Sequence, residues 1–218
     1  MVFDGAVNAY RVSPTLVRMG RREWVTEDGW REALDEGFRT VVDLRSDFEF
    51  SVRRMGDAEV GPEVLAELTV VHCPTEDPEH PGFNYVMGYL DHPNGYLGYM
   101  DLFGDRVARA VLAMAHADGP VIVHCSAGRD RTGLVLSLGQ LIAGWDHERI
   151  VEGYVRAAEG INAFQEHNPH PKETFKRGAE WDAWLQERVD ALRVFLREVD
   201  AEGFLRSQGA GDGDLAAV

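Results

Sequence analysis

Cys125 and Arg131 are separated by five residues, in a segment that reads His-Cys-Ser-Ala-Gly-Arg-Asp-Arg-Thr-Gly over positions 124–133. A thiolate is a strong nucleophile, and a guanidinium is a planar donor that matches two oxygens of a bound oxyanion. This spacing lets the sulfur lie beneath the anion while the guanidinium folds over it. The residue types and their spacing therefore indicate attack on an oxyanion ester.

The flanking residues must position this pair. Residues 120–124 (Pro-Val-Ile-Val-His) predict a short buried strand, and the apolar pattern from Thr132 onward predicts a helix. A strand that enters a helix through a tight loop makes an anion site, because the loop N–H groups and the helix dipole point at one place. The same site favours the thiolate form of Cys125. We interpret the segment as a phosphate-binding loop that cleaves phosphate esters.

Three other interpretations of this loop are weaker. A lone cysteine after a strand is usually a small apolar filler, which does not explain the glycine, the two arginines and the Thr-Gly pair in register. An ATP-binding loop would need Gly-Lys-Ser/Thr, which the segment lacks. Sulfur-transfer enzymes also use a cysteine in an anion loop, but an arginine six positions later, followed by threonine, favours phosphate.

Composition sets the class of protein and its partners. The 218 residues are 44% hydrophobic, which predicts one domain over residues 1–206 and a Gly/Asp/Ala-rich tail over 207–218 that is prone to fraying. The formal net charge of −15 argues against nucleic-acid partners and against charge-driven docking on anionic membranes. No partner protein can be recognised from the sequence.

Two cysteines, Cys73 and Cys125, do not make a disulfide framework, so a reducing compartment is expected. No signal-peptide pattern and no apolar run long enough for a span is present, so we expect a cytoplasmic protein without integral membrane contact. Export by a leaderless route stays open. Cys73 ends one strand and Cys125 follows another, and the two strands are expected to be parallel and close. A protective disulfide between the cysteines is therefore an alternative to simple packing of Cys73.

Apolar periodicity and turn residues predict an α/β domain without internal repeats. The predicted elements are a helix from Thr26 to about Glu36, strands over 40–45 and 68–73, a helical turn near Tyr85 to Leu90, helices beginning at Asp105 and after Asp146, and a helix over about 178–199.

The loop resembles the signature of cysteine-dependent protein tyrosine phosphatases. More narrowly, it resembles the bacterial tyrosine phosphatases whose loop reads His-Cys-x-x-Gly-Lys-Asp-Arg, some of which also act on phosphoinositides. Weaker matches follow in the family's order: Val-Asp-Leu-Arg-Ser at 42–46, Pro74-x-x-Asp77, the helix after Asp146, and Gly-Phe-Leu-Arg at 203–206. The resemblance implies a protein-tyrosine-phosphatase-like α/β fold of three layers, with a parallel central sheet and helices on both faces.

One position departs from that pattern, because the family's loop lysine is Arg129 here. The planar fork of arginine could change which phosphorylated group is held. The chain contains only two lysines, Lys172 and Lys176, so the arginine could equally reflect a general avoidance of lysine with the charge retained.

The predicted mechanism begins with in-line attack of Cys125 on phosphorus, which forms a phosphocysteine. The loop from Ser126 through Ala127, Gly128 and Arg129 to Arg131 is predicted to bind the phosphoryl oxygens, where charge develops in the transition state. Thr132 would donate its hydroxyl to the sulfur, and His124 would order the loop through a ring hydrogen bond. Arginine and amide groups supply the positive charge, so we expect neither a metal nor a cofactor.

The leaving oxygen needs a proton from a general acid. Asp77 is the first candidate, because it follows a strand that neighbours the loop's strand and the resemblance points to it. Asp130, inside the loop, is the rival as acid or as a group that orients the arginines. Glu76, Asp91 and Asp101 are weaker candidates. Arg45 is expected to pair with Asp43, Asp47 or Glu49, and Tyr96 and Tyr99 either line a pocket or pack in the core.

These features predict a hydrolase that removes phosphate, most simply from phosphotyrosine in proteins. A phosphoinositide phosphatase or a dual-specificity phosphatase using the same loop is the alternative within enzymes. Outside them, a phosphate-binding module without catalysis would require a damaged loop, and an acidic interaction protein would require a partner motif. The sequence shows neither.

Overall fold

The computed structural model describes residues 2–83, 90–170 and 173–218. Over these ranges the strands form one five-stranded sheet in the order β1-β2-β5-β3-β4, with β1 antiparallel to β2 and the other pairs parallel. The strands are β1 (Tyr10–Ser13), β2 (Leu16–Met19), β3 (Thr40–Asp43), β4 (Thr69–His72) and β5 (Val121–His124).

The helices lie between and after these strands. Their bounds are α1 (Glu27–Asp35), α2 (Asp47–Ser51), α3 (Pro62–Leu65), α4 (Tyr96–Ala115), α5 (Asp130–Ile142), α6 (His147–Gln165), α7 (Gly178–Glu198), α8 (Ala201–Ser207) and α9 (Asp212–Ala217). The predicted caps are present, since the Thr26 hydroxyl accepts from Gly29 N and Asp146 accepts from Arg149 N. A capping box formed by Ser46 and Glu49 begins α2.

The sheet is covered on both faces, so the chain has three layers. Residues that alternate along the central strands enter opposite cores: Val42 and Val123 pack with the helices α4 to α7, and Val41 and Ile122 pack with α1 and the N-terminal segment. Both central strands are buried along their whole length, which accounts for their β-branched residues. The predicted three-layer α/β fold is confirmed.

The parallel strands end at one edge of the sheet. Asp43, at the end of β3, lies beside His72 of β4 and His124 of β5. The residues that follow these strands therefore start from the same edge, where ligand sites of α/β sheets form.

Several predicted boundaries are corrected by the structure. Helix α4 begins at Tyr96, nine residues before the predicted start at Asp105, and Phe103 leaves helical geometry with φ −128° and ψ 32°. The prediction began the helix after this kink. Helix α5 begins at Asp130 rather than Thr132. The hairpin of β1 and β2 was not predicted, because two four-residue strands around Pro14-Thr15 carry too short a pattern.

Two further sequence expectations concern the ends of described segments. The predicted helical turn near Tyr85 to Leu90 lies, apart from Leu90, outside the described residues. The segment expected to fray contains α9, where Asp214 accepts a 2.8 Å hydrogen bond from His116. The division into one domain and a tail stays a prediction. In the part of the chain that the structure describes, no helix is long and apolar enough to cross a membrane.

Candidate active site

Donors surrounding the loop between β5 and α5 fix its backbone. Every carbonyl oxygen from Cys125 to Asp130 accepts a hydrogen bond. The pairs are His124 Nδ1–Cys125 O (3.0 Å), Arg21 N–Ser126 O (2.9 Å), Asn8 Nδ2–Ala127 O (2.8 Å), Arg18–Gly128 O (2.6 Å), Arg18–Arg129 O (3.0 Å) and Tyr96 Oη–Asp130 O (3.0 Å). The carbonyl and the N–H of a peptide unit point in opposite directions. The bound carbonyls therefore turn the loop N–H groups toward the loop's centre.

These N–H groups form an anion-binding concavity. Within the described ranges, the N–H groups of residues 126–130 have no acceptor in the protein. Buried backbone N–H groups are almost always paired, so this concavity suits an oxyanion. The N-terminus of α5 adds the positive end of its dipole at the same place.

The tight turn of the loop requires glycine at position 128. Gly128 has φ +72°, and a Cβ atom there would lie 2.2 Å from the carbonyl oxygen of Met19 on β2. A larger residue would push the loop away from the sheet.

A buried network supports the loop from the sheet edge. The Nε2 atom of His124 lies 3.3 Å from Asp43, and Asp43 also binds Arg45, which forms a second pair of hydrogen bonds with Glu23. Burial raises the pKa of Asp43, but His124 and Arg45 outweigh it and hold that pKa well below its ordinary value. The predicted pairing of Arg45 with Asp43 is confirmed, and Glu23 is a partner that the sequence did not indicate.

Arg131 is buried in the first turn of α5 and is held by two carboxylates. Its terminal nitrogens form a two-pronged contact with Glu49 (2.5 and 2.9 Å) and a 2.9 Å contact with Glu76. The hydroxyl of buried Tyr99 donates to the other oxygen of Glu76. Burial raises the pKa of Glu49, but the hydrogen bonds and charge of Arg131 lower it to about 2. The guanidinium is thus fixed at the edge of the loop.

The side chains of Arg129 and Asp130 bind each other and residues of α6 and of the segment that follows it. Arg129 donates from Nε to Asp130 (2.7 Å) and from both terminal nitrogens to Glu173 (2.9 and 3.1 Å). Asp130 also accepts a 3.0 Å hydrogen bond from Tyr154. Burial raises the pKa of Asp130 despite the opposing charge of Arg129. These contacts lock the loop to the segment that carries Glu173.

Cys125 and Thr132 are buried behind the loop. Cys125 is a free thiol, and the Thr132 hydroxyl is a buried polar atom without a hydrogen-bond partner in the described part of the chain. A buried hydroxyl without a partner is costly, and the predicted contact with the Cys125 sulfur would supply one.

A cleft of about 730 Å³ opens onto the loop at Ser126 and Ala127. Its apolar walls include Trp24 and Phe164, whose ring centroids are 4.8 Å apart. The other apolar lining residues are Phe48, Met55, Pro78, Phe83, Ile161 and Pro169, and the polar ones include Glu49, Arg54, Glu76, Gln165, His167, His170 and Glu173. Such walls suit an aromatic or apolar group carried by the anion.

The structure brings only some of the predicted residues into this cleft. Arg129 lines a separate cavity of about 140 Å³ with Trp184 and Arg188, because its guanidinium is committed to Asp130 and Glu173. Asp77 lies between two cleft residues, Glu76 and Pro78, but its carboxylate accepts a 3.1 Å hydrogen bond from Arg106 of α4. The expectation that its strand neighbours the loop's strand is wrong, because β3 lies between β4 and β5. Its role as the acid stays a prediction.

Sequence reasoning missed the residues that hold the loop from a distance. Arg18 and Asn8 contact residues more than 100 positions away, and no local pattern marks them. Glu49 carried a partial signal, because Ser46-x-x-Glu49 is a capping box. Tyr96 and Tyr99 are both buried, and each hydroxyl supports the site, through Asp130 and Glu76.

Cys73 is separated from Cys125 by a strand. Cys73 follows β4 and Cys125 follows β5, and β3 lies between them in the sheet. Two strand spacings place their backbones about 10 Å apart, beyond the roughly 7 Å that a disulfide spans. Burial also raises the pKa of the Cys73 thiol. The expected closeness of the two cysteines is therefore wrong, and Cys73 belongs to the apolar core.

The fold and the loop define a class of protein. Residues 8–217 match the profile of the tyrosine phosphatase family, and the chain belongs to that family. The chain is similar to the dual specificity protein phosphatase TpbA of Pseudomonas aeruginosa, with 32% identity over 197 residues, which are 88% of this chain and 68% of TpbA. It is also similar to the triple specificity protein phosphatase PtpB of Mycobacterium tuberculosis, with 38% identity over 56 residues.

The extent of these matches differs. The PtpB match covers 26% of this chain and 20% of PtpB. Among solved structures, the catalytic core of Siw14 from S. cerevisiae shares the fold, with a TM-score of 0.52 over 94% of this chain and 92% of that one, at 12% identity.

In the described ranges, no group of three His, Cys, Asp or Glu side chains is arranged to hold a metal ion.

Proposed function

We propose that this protein hydrolyses phosphate monoesters, with phosphotyrosine in proteins as the preferred substrate, through a phosphocysteine intermediate. The observation that carries this proposal is the loop of residues 125–130, whose carbonyls are all held by surrounding donors while its N–H groups are left for an oxyanion. The loop joins a cysteine to an arginine at the start of a helix, which is the arrangement that phosphoryl transfer to a thiolate requires.

The reaction proceeds in two displacements. Cys125 Sγ attacks phosphorus, the P–O bond to the alcohol breaks, and the leaving oxygen takes a proton from Asp77, the preferred acid. Water then attacks the phosphocysteine and gives a proton to the Asp77 carboxylate while the S–P bond breaks, which releases inorganic phosphate and regenerates both the thiolate and the acid. Thr132 supports the sulfur as a leaving group in this second step, while Arg131 and the loop N–H groups hold the equatorial oxygens in both.

Two features support an aromatic ester as the substrate. The cleft above the loop is walled by Trp24, Phe164 and other apolar side chains, which stack well on a phenyl ring. The matching family is that of tyrosine phosphatases, and the two similar proteins are named as dual specificity and triple specificity phosphatases.

The two unpaired cysteines, one of them the proposed nucleophile, support a location in the reducing environment of the cytoplasm.

The test is a substrate panel measured in the presence of EDTA. Purified protein is assayed with para-nitrophenyl phosphate, with phosphotyrosine, phosphoserine and phosphothreonine peptides, and with inositol phosphates. We expect metal-independent hydrolysis, highest kcat/KM for phosphotyrosine, and turnover abolished in Cys125→Ser and reduced about 100-fold or more in Arg131→Lys. A strict metal requirement would overturn the proposal, and a preference for inositol phosphates would replace its substrate.

A further inference from the structure

The most exposed large apolar side chains of the described residues border the candidate active site. Met55 is fully exposed at 104% and Phe48 is 74% exposed, whereas the other exposed large apolar side chains reach 36% to 46%. Both residues line the cleft above the loop. Exposed apolar side chains that cluster at a cleft are typical of a surface that binds a protein, a membrane or a small ligand.

A cation accompanies these two side chains. Arg54 is exposed and lines the same cleft. Its guanidinium has no hydrogen bond or ion pair to any residue of the described ranges. We call Phe48, Arg54 and Met55 the docking rim. An exposed arginine beside apolar side chains can pair with an acidic group of a ligand that covers them.

The docking rim is connected to the site by α2. Phe48 precedes Glu49, whose carboxylate holds Arg131 and closes the capping box with Ser46. Phe48 and Glu49 are therefore neighbouring residues of one capped helix, and the guanidinium of Arg131 on α5 is bound to Glu49. A ligand segment that covers Phe48 therefore lies next to the phosphorylated group whose phosphate is bound in the loop.

The charge of the protein around the docking rim favours a peptide over a lipid surface as the ligand that covers the rim. The chain carries a net charge of −15, and the carboxylate-bearing side chain of Asp47, adjacent to Phe48, is 92% exposed. Anionic membranes are recognised by clusters of about four to eight basic residues, and the rim contributes Arg54 with Arg53 beside it. A peptide with one apolar and one acidic side chain matches the rim, while an anionic bilayer would face Asp47.

We infer that the docking rim binds the peptide segment beside the phosphorylated tyrosine, and that it favours substrates with an apolar and an acidic residue next to that tyrosine. This inference rests on the proposed function. In it, the phosphotyrosine ring occupies the aromatic part of the cleft. The neighbouring apolar side chain covers Phe48 and Met55, and the acidic side chain pairs with Arg54.

The test compares peptides with a small aryl ester that carries no neighbouring residues. Hydrolysis of para-nitrophenyl phosphate by the parent is measured first, because its absence would mean that the proposed function has failed. Phosphotyrosine peptides that carry Leu or Ser, and Glu or Lys, beside the tyrosine are then assayed with Phe48→Ala, Met55→Gln and Arg54→Glu. Val194→Ala, on exposed α7 surface away from the cleft, is the matched control.

We expect Phe48→Ala and Met55→Gln to lower the ratio of kcat/KM for the Leu peptide to that for para-nitrophenyl phosphate by about fivefold to tenfold, from lost apolar burial. We expect the parent to prefer Glu over Lys by about threefold, and Arg54→Glu to reverse that preference. Ratios equal to those of Val194→Ala would overturn the inference. Binding of the same variants to phosphatidylserine–phosphatidylcholine vesicles is measured in parallel. If the peptide ratios are unchanged while the rim variants bind vesicles more weakly than the parent, the inference is overturned and the rim is assigned to a lipid surface.

Discussion

Arg131 and Glu49 form a two-pronged ion pair that joins the first turn of α5 to the short helix α2. The side chain of Arg131 is buried and that of Glu49 is largely buried, and Glu76 forms a second ion pair with the same guanidinium. Buried ion pairs are costly to break because the partner that remains is left uncompensated. Glu49 therefore fixes the arginine that the proposed reaction needs.

This pair predicts a dependence of stability on pH. The pKa of Glu49 is 4.5 in ordinary surroundings and about 2 in the folded protein, so its stabilisation is complete above about pH 4.5 and is lost as the pH falls toward 2. The free energy of unfolding, measured in denaturant at pH 6 and pH 3, should fall less in Glu49→Gln than in the parent. Exposed Glu67→Gln serves as the control, and equal losses in all three proteins would contradict the assignment.

The general acid is predicted to be Asp77 and can be identified from leaving groups. Asp77→Asn should slow hydrolysis of phenyl phosphate far more than that of para-nitrophenyl phosphate, because para-nitrophenol leaves without protonation. The carboxylate must leave Arg106 to act, so Arg106→Leu should not reproduce this pattern.

Asp130→Asn provides the competing outcome. Asp130 is tied to Arg129 and Tyr154, so we expect its amide variant to lose stability without a selective effect on poor leaving groups. The selective effect in Asp130→Asn, with Asp77→Asn unaffected, would transfer the acid role to Asp130.

Arg129 is predicted to position the loop through its planar fork. Lysine cannot bind Asp130 and both oxygens of Glu173 together. Arg129→Lys should therefore lower the free energy of unfolding by about 1–3 kcal/mol while changing kcat by less than about threefold, and Glu173→Gln should act in the same direction. A large loss of activity at unchanged stability would instead make Arg129 a substrate contact.

Much of the fold could be predicted because its elements carry local patterns. The strand before Cys125, the cap at Thr26 and the helix after Asp146 all depend on residues close in sequence, and the structure contains them. Helix α4 was placed too late because Phe103 interrupts its geometry while the chain on both sides stays helical.

The residues of the loop could be predicted from the sequence, whereas most of the residues that contact the loop could not. Cys125 and Arg131 are identified by their spacing, whereas Arg18, Glu49 and Glu173 reach the loop only through tertiary folding. The position of Cys73 shows the same limit. Strand type could be read from the sequence, but the placement of β3 between β4 and β5 could not.

Cys73 is predicted to pack in the core without protecting the nucleophile. After brief treatment with peroxide, dithiothreitol should restore the same fraction of activity in Cys73→Ala as in the parent, because β3 separates the two thiols. Recovery that is lost only in Cys73→Ala would show that the two sulfurs meet after a backbone movement.

Phosphocysteine formation is the most direct test of the proposed chemistry. The protein is mixed with a phosphotyrosine peptide, quenched in acid within the first turnovers and analysed by intact-protein and peptide mass spectrometry. We predict one added phosphoryl group, located on Cys125 and absent from Cys125→Ser, which should still bind phosphate or vanadate. Turnover by the parent without a phosphorylated Cys125, or hydrolysis by Cys125→Ser at a rate near that of the parent, would contradict the covalent mechanism.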